Sequence, residues 1–222
     1  MTRIARAVAP GLPHHITQRG NRRQEVFFCD EDYSLYIELL SDSCRRLRVE
    51  VWAYCLMPNH VHMIAAPESA DGLRRAIGEA HRRYTRRVNF REGWRGCLWQ
   101  GRFASFALDD AYVRAAARYV ALNPVRARLV RRPEKWRWSS AAAHLGLRGD
   151  RLVRRPELLL EYVSDFADLP RMKFPREEAD VLRRHERTGR PLGGDGLVER
   201  VSELLDRDLV PGKAGRKPKG RK

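Results

Sequence analysis

Two apolar runs hinged at one turn constrain this chain more than any other feature. Residues 48–57 carry Val49, Val51, Trp52 and Tyr54, the β-branched and aromatic types that suit a pleated strand. Pro58-Asn59 is a turn signal, and residues 60–66, His-Val-His-Met-Ile-Ala-Ala, form the return strand. Side chains alternate along a strand, so His60 and His62 share one face while Val61 and Met63 share the other. The reading is an antiparallel hairpin with one side for a core and one side carrying two imidazoles. Those ring nitrogens can hold one divalent ion. Imidazole suits Zn, Mn, Fe, Co or Ni, and a mixed nitrogen and oxygen set would also hold Mg. Two nitrogens alone hold an ion loosely, so a third ligand has to come from elsewhere. Two polar residues on a solvated strand face are the plain alternative.

The flanking segments supply partners for the hairpin. Residues 14–19, His-His-Ile-Thr-Gln-Arg, read as a first strand ended by Gly20-Asn21. Asp30 is placed to cap a helix running to about Leu47, with Tyr33, Tyr36, Ile37 and Leu40 at helical spacing. Ser69 or Asp71 caps a basic helix to about Val88, and a loop rich in Gly and Trp follows. Residues 103–108 form a fourth strand, and Asp110 opens a helix ending near Asn123-Pro124. This β-α-β-β-α-β order with a following helix predicts an α+β, ferredoxin-like fold. Its antiparallel sheet has helices on one face and leaves the other open for a site. The texture changes past residue 150. Residues 151–210 read as a helical C-terminal extension, with helix over 158–163, a highly charged helix over 176–187, a turn at 189–193 and a short amphipathic helix over 197–205. Residues 211–222 contain no acid and read as a disordered basic tail.

Charge narrows the class of partner. Hydrophobic residues make up 43% of the 222, which argues against a fully disordered chain. The formal net charge of +16 points to a polyanion, nucleic acid first. Arg exceeds Lys, and its planar fork suits phosphate and stacks on bases. Cys29, Cys44, Cys55 and Cys97 form no C-x-x-C pair, so neither a zinc knuckle nor a redox motif is indicated. Those in apolar settings, such as Tyr54-Cys55-Leu56, read as small buried hydrophobes, and a reducing cytoplasm fits. The opening MTRIARAVAP lacks an apolar signal core, and no run approaches the roughly 20 apolar residues of a membrane span.

Tyr119 and Asn123 stand four apart, hence on one helix face. Pro124 disfavours helix at Asn123, so Asn123 is expected in the last turn with its amide free to reach outward. By spacing alone, a buried tyrosine followed by a helix-stopping Asn-Pro is the simpler reading. The combination of motifs changes that. Gly11 to Arg23 (GLPHHITQRGNRR), Tyr54 to His62 (YCLMPNHVH), Leu98 to Phe103 (LWQGRF) and Arg118 to Ala127 (RYVALNPVRA) occur in this order, with Trp136-Arg137-Trp138-Ser139-Ser140 after them. Over residues 8–140 the chain resembles the transposases associated with repetitive extragenic palindromes (REP), a branch of the single-tyrosine HUH transposases.

The resemblance implies that residues 1–150 are an HUH nuclease domain. His60 and His62 would be the metal ligands, with Asn123 as third metal-contacting side chain where related insertion-sequence enzymes carry Gln. Tyr119 would be the nucleophile and the cofactor a divalent ion, Mg2+ or Mn2+. Such enzymes nick single-stranded DNA beside a small hairpin and hold the 5′ phosphate on the tyrosine. They act as monomers or as homodimers exchanging the tyrosine helix, in the bacterial cytoplasm with the nucleoid. For DNA contacts we expect Arg19, Arg22 and Arg23 after the first strand, and Arg82, Arg83, Arg86 and Arg87 along the second helix. Trp94 is expected to stack on bases, and Arg102 and Arg126 join from the matching motifs. Trp99 is expected in the core, His14 and His15 in structural roles, and His81, His144 and His185 without a special role. The turn at 189–193 either helps read a hairpin or merely joins two surface helices. Two other functions fit the same residues: a hairpin-binding protein that no longer cuts, and a hydrolase using activated water with Tyr119 structural.

Overall fold

The alternation of the hairpin extends across a four-stranded sheet and fixes where every other element packs. The computed structural model describes residues 4–171 and 175–210; the expected basic tail lies outside the described residues. The strands are β1 (His14–Arg19), β2 (Val49–Met57), β3 (His60–Pro67) and β4 (Ala104–Ala107). Helices α1 (Asp30–Arg46) and α2 (Gly72–Glu92) make the two crossovers, and α3 (Asp110–Ala121) and α4 (Asn123–Arg126) follow β4. Short helices α5 (Ala141–His144) and α6 (Glu157–Leu160) precede α7 (Arg176–Thr188) and α8 (Asp195–Leu205). The sheet order is β2-β3-β1-β4, and every pairing is antiparallel, as a ferredoxin-like fold requires. Two registers matter most: Thr17 pairs with His62, and Arg19 with His60.

One face of the sheet presents Ile16, Val51, Tyr54, Leu56, Val61 and Met63 to α1 and α2, which contribute Tyr36, Leu40, Ile77 and Tyr84. These side chains are almost wholly buried. The expectation of an open second face does not hold. Ala53, Cys55, Ile64 and Phe106 point there, and α3 and α7 cover them with Val113, Ala117, Val120, Ala179 and Leu182. Apolar area left in water costs roughly 25 cal/mol per Å2, so a face with that composition recruits a cover. Alanines on α3 let the helix lie close to the strands. The cover stops at the polar end of the sheet, where the histidines stand.

Local chemistry moves several boundaries. Cys29, not Asp30, is the N-cap of α1. The carboxylate of Asp32 accepts from the Phe28 amide at 2.9 Å and from the Arg91 guanidinium at 2.9 Å, tying the start of α1 to the end of α2. Helix α2 runs one turn beyond Val88 and stops at Gly93, whose φ of 65° is the left-handed conformation that favours glycine. Asp109 caps α3 by accepting from the Tyr112 amide at 3.0 Å. Asn123 does not end a helix in a free last turn: it opens α4, with Pro124 in the first turn where a proline is tolerated, and it is buried. The helix expected over 158–163 is a single turn, Glu157–Leu160.

The turn at 189–193 is fastened to the sheet edge. The Leu192 amide donates to the Ala107 carbonyl at 2.8 Å, and the Gly194 amide donates to Asp109 at 3.0 Å. A Cβ on Gly193 would meet Asp109 Oδ2 and Leu197 Cδ2 at 2.6 Å, so a larger residue there would push those side-chain ends aside. Residues of the expected C-terminal extension therefore share a core with the sheet. Leu182, fully buried on α7, tests this. Leu182→Ala is expected to lower the stability of the main unfolding transition by about 2–5 kcal/mol in urea denaturation. An unchanged midpoint would mean that α7 folds apart from the sheet.

Candidate functional site

Strand alternation and register bring the polar side chains to one place. His15, Thr17 and Arg19 leave β1 on the same face as His60 and His62 of β3, because Thr17 faces His62 and Arg19 faces His60 across the ladder. Helix α3 then lays Tyr119 over this patch. The Tyr119 ring centroid is 5.2 Å from that of His62 and 5.9 Å from that of His15, both edge-to-face. His60 and His62 stand 5.0 Å apart at nearly a right angle, and His15 stacks on His62 at 5.5 Å. Asn123 hydrogen-bonds the His60 ring, whose Nδ1 also lies 2.6 Å from Asn59 Oδ1. The three expected metal-contacting side chains and the expected nucleophile thus occupy one site.

A cavity of about 450 Å3 opens beside these rings. Its basic lining comes from Arg19, Arg23 and Arg102, and from Arg183 and Arg187 of α7. Arg183 hydrogen-bonds Tyr119, and the Arg126 guanidinium lies 4.9 Å over the Tyr119 ring. Several cations around one tyrosine and one void suit a phosphate group. The carboxyl among them is Glu186, also from α7.

Burial sets the protonation of the site. It lowers His15 to about 3 and His60 to about 4, and it drives His62 well below the ordinary value. Neutral imidazoles keep the lone pair that a metal needs. Burial pushes the Glu186 carboxyl up to about 7, against the opposing pull of Arg19, Arg183 and Arg187. His15 Nδ1 and Nε2, His62 Nδ1 and Glu186 Oε1 are buried without a hydrogen-bond partner among the described residues. Buried polar atoms seldom stay unpaired, and these are nitrogen and oxygen donors, so the site fits a divalent cation.

Other expected contacts are placed differently. Arg22 is exposed near the end of β1, in a left-handed conformation. Arg82, Arg83, Arg86 and Arg87 are exposed on α2, which packs on the opposite face of the sheet; Arg82 pairs with Glu79 at 2.9 Å. Trp94 is 44% exposed and meets Phe28 edge-on, which leaves part of its ring accessible. Trp99 is in the core as expected, stacked on His81, whose Nε2 lies 2.9 Å from the Tyr36 hydroxyl. His14 is structural: Nε2 accepts from the Ala9 amide and Nδ1 donates to the Leu12 carbonyl.

Sequence reasoning missed His15, Arg183 and Glu186. Alternation places His15 on the face of Thr17 and Arg19, but one strand does not reveal its neighbours. Glu186 carries a usable signal. It falls on the helix face of Ala179 and Leu182, and a carboxyl on an apolar stripe has a reason to be there.

Comparisons with known proteins identify the family and the fold. A family model described as "Transposase IS200 like" matches residues 9–123, more than half of the chain. A solved structure of a REP-associated tyrosine transposase bound to a REP hairpin is 22% identical, covers 67% of this chain and 89% of that one, and superposes with a TM-score of 0.53. A transposase candidate from Deinococcus radiodurans R1 is 19% identical over 58% of this chain and 92% of its own, with a TM-score of 0.38. No curated protein matches the chain.

The buried rings predict how stability responds to acid. His14 is lowered to about 4, and His15 and His81 to about 3. Each takes up its proton in the unfolded chain near pH 6.5 but resists it when folded. Their contribution is complete above about pH 6.5 and is lost as pH falls toward the folded values, at up to about 1.4 kcal/mol per pH unit each. Glu186, raised to about 7, has the opposite sign: its contribution is present below the ordinary carboxyl range and is lost as pH rises through 7. Three histidines outweigh one carboxyl, so urea midpoints are expected to fall from pH 7 to pH 5. A flat profile would contradict neutral burial of these rings.

Proposed function

Because the chain belongs to the IS200-like transposase family, we propose that it is a single-stranded DNA nuclease and strand transferase of the REP-associated kind, cutting through a covalent bond to Tyr119. The observation that carries this reading is Tyr119 held edge-to-face on His62 at 5.2 Å, with Arg126 and Arg183 against it and a basic cavity beside it.

The chemistry follows from those groups. Arg19, Arg23 and Arg102 receive the phosphate backbone and draw the scissile phosphorus beside the phenol. A phenol is mostly protonated near neutral pH. The guanidinium of Arg183, at the Tyr119 side chain, offsets negative charge that develops on the phosphate as the new bond forms. The Tyr119 oxygen attacks phosphorus, its proton passes to solvent, the bond from phosphorus to the 3′ oxygen breaks, and that oxygen gains a proton. The 5′ phosphate remains on Tyr119 as an ester, so a free 3′ hydroxyl can reverse the step and join strands without another energy source. A divalent ion, Mg2+ or Mn2+, on His60, His62 and Asn123 would polarise the phosphate and offset charge in the transition state. Trp94 offers a face for an unpaired base, and Arg22 a further cation along the strand. Arg82, Arg83, Arg86 and Arg87, remote from the cavity, would meet flanking DNA. The substrate is DNA carrying a small hairpin, and the setting the bacterial cytoplasm with the nucleoid; among the described residues no helix is long and apolar enough to cross a membrane.

Two measurements test this reading. Incubated with a labelled hairpin with single-stranded flanks and Mn2+, the protein should form a covalent adduct on a denaturing gel, and Tyr119→Phe should abolish both adduct and nicking. Nicking that survives Tyr119→Phe would point to activated water, and binding without nicking to a protein that only recognises the hairpin. Affinity for single-stranded DNA should fall with salt. Arg19→Ala and Arg102→Ala should each reduce the log–log slope by about 0.7, whereas Arg82→Ala should leave it nearly unchanged.

A further inference from the structure

We propose that His15, His62 and Glu186 form a second divalent-cation position, on the inner side of the histidine pair and completed by the C-terminal helix α7. It rests on the preceding reading only through His62, which both ligand sets share.

Geometry singles these residues out. One donor atom from each lies within 4.8 Å of the other two. At metal–nitrogen distances of about 2.1 Å, a tetrahedral ion sets its ligand atoms about 3.4 Å apart, so closure asks for a shift of up to about 1.4 Å. The Glu186 side chain, about one-fifth exposed, can supply that movement. Both ring nitrogens of His15, Nδ1 of His62 and Oε1 of Glu186 lack hydrogen-bond partners among the described residues, although His15 is fully buried and His62 nearly so. Two other buried imidazoles are satisfied, His14 by Ala9 and Leu12 and His81 by Tyr36; His144 also lacks partners among the described residues, but it has no second imidazole or carboxyl grouped with it there. The His15–Glu186 approach of 3.9 Å is too long for a hydrogen bond and leaves room between the two atoms.

The inner set is also the freer one. His60 is engaged by Asn59 and by Asn123, the latter being the remaining member of the outer set. A neutral imidazole has one lone pair, so His62 serves one ion at a time, and the inner and outer sets are alternative positions for a single ion. Arg19, Arg183 and Arg187 act on Glu186 and oppose a cation. That opposition selects ions held through nitrogen bonds, Zn2+ or Co2+, over Mg2+ or Ca2+ held mainly by charge.

Cation titration of the full chain without DNA tests the proposal, using Co2+ absorption and Zn2+ calorimetry. One equivalent should bind. Glu186→Gln keeps the shape of the side chain and removes its charge. It should weaken binding at least about tenfold and alter the Co2+ spectrum, since even outer-shell changes at metal sites cost 10- to 100-fold. Circular dichroism of the metal-free variant confirms that it folds. Unchanged Co2+ affinity and spectrum in folded Glu186→Gln would overturn the inner position. If His60→Ala abolished binding while Glu186→Gln did not, the inner position would fall and the outer set would stand. Failure of the covalent nuclease would be read separately, in the Tyr119→Phe adduct assay, which makes no use of Glu186.

Discussion

Everything at the site depends on the register between β1 and β3. Thr17 opposite His62 and Arg19 opposite His60 put five side chains, His15, Thr17, Arg19, His60 and His62, on one surface. A slip of one residue would turn His60 and His62 into the core and send Val61 and Met63 outward. That slip is costly, because Val61 and Met63 are almost wholly buried beneath α1 and α2. The hydrophobic core on one face thereby locks the geometry of the candidate site on the other. The polar surface needs no stabilising interaction of its own to stay in register.

The second face divides its labour along the strands. Toward one end its side chains are apolar, Ala53, Ile64 and Phe106, and helices cover them. Toward the other they are imidazoles and arginines, and a cavity remains. Helix α3 spans the two. Val113, Ala117 and Val120 anchor it on the apolar part, and the same helix presents Tyr119 to the polar part. Helix α7 repeats the scheme with Ala179 and Leu182 buried and Arg183 and Glu186 at the cavity. In both helices the buried stripe holds the position of a polar group one turn away.

Electrostatics completes the arrangement. Burial keeps His15, His60 and His62 neutral, with Arg19 adding to the effect at His60 and His62, so they remain donors of electron pairs rather than cations. Phosphate and a divalent ion need opposite surroundings: anions prefer the arginines and metals the imidazoles. The site supplies both within one cavity, with Tyr119 where the two zones meet.

The sequence by itself determined the strands, their alternation and the order of elements, because period-two and period-3.6 patterns are local and the turn residues between them are unambiguous. It also determined that His60 and His62 share a face, and that Tyr119 and Asn123 share another. Tertiary structure alone decided that these two faces meet, since no spacing relates β3 to α3. It decided as well that the second sheet face is covered, that Asn123 is buried against His60 rather than turned outward, and that His15 stands in the site. Glu186 and Arg183 reach it across more than 120 residues of chain from His62 because α7 folds back under the pull of its own apolar stripe. Burial of that stripe depends on what it packs against, which is a property of the whole fold and not of any segment.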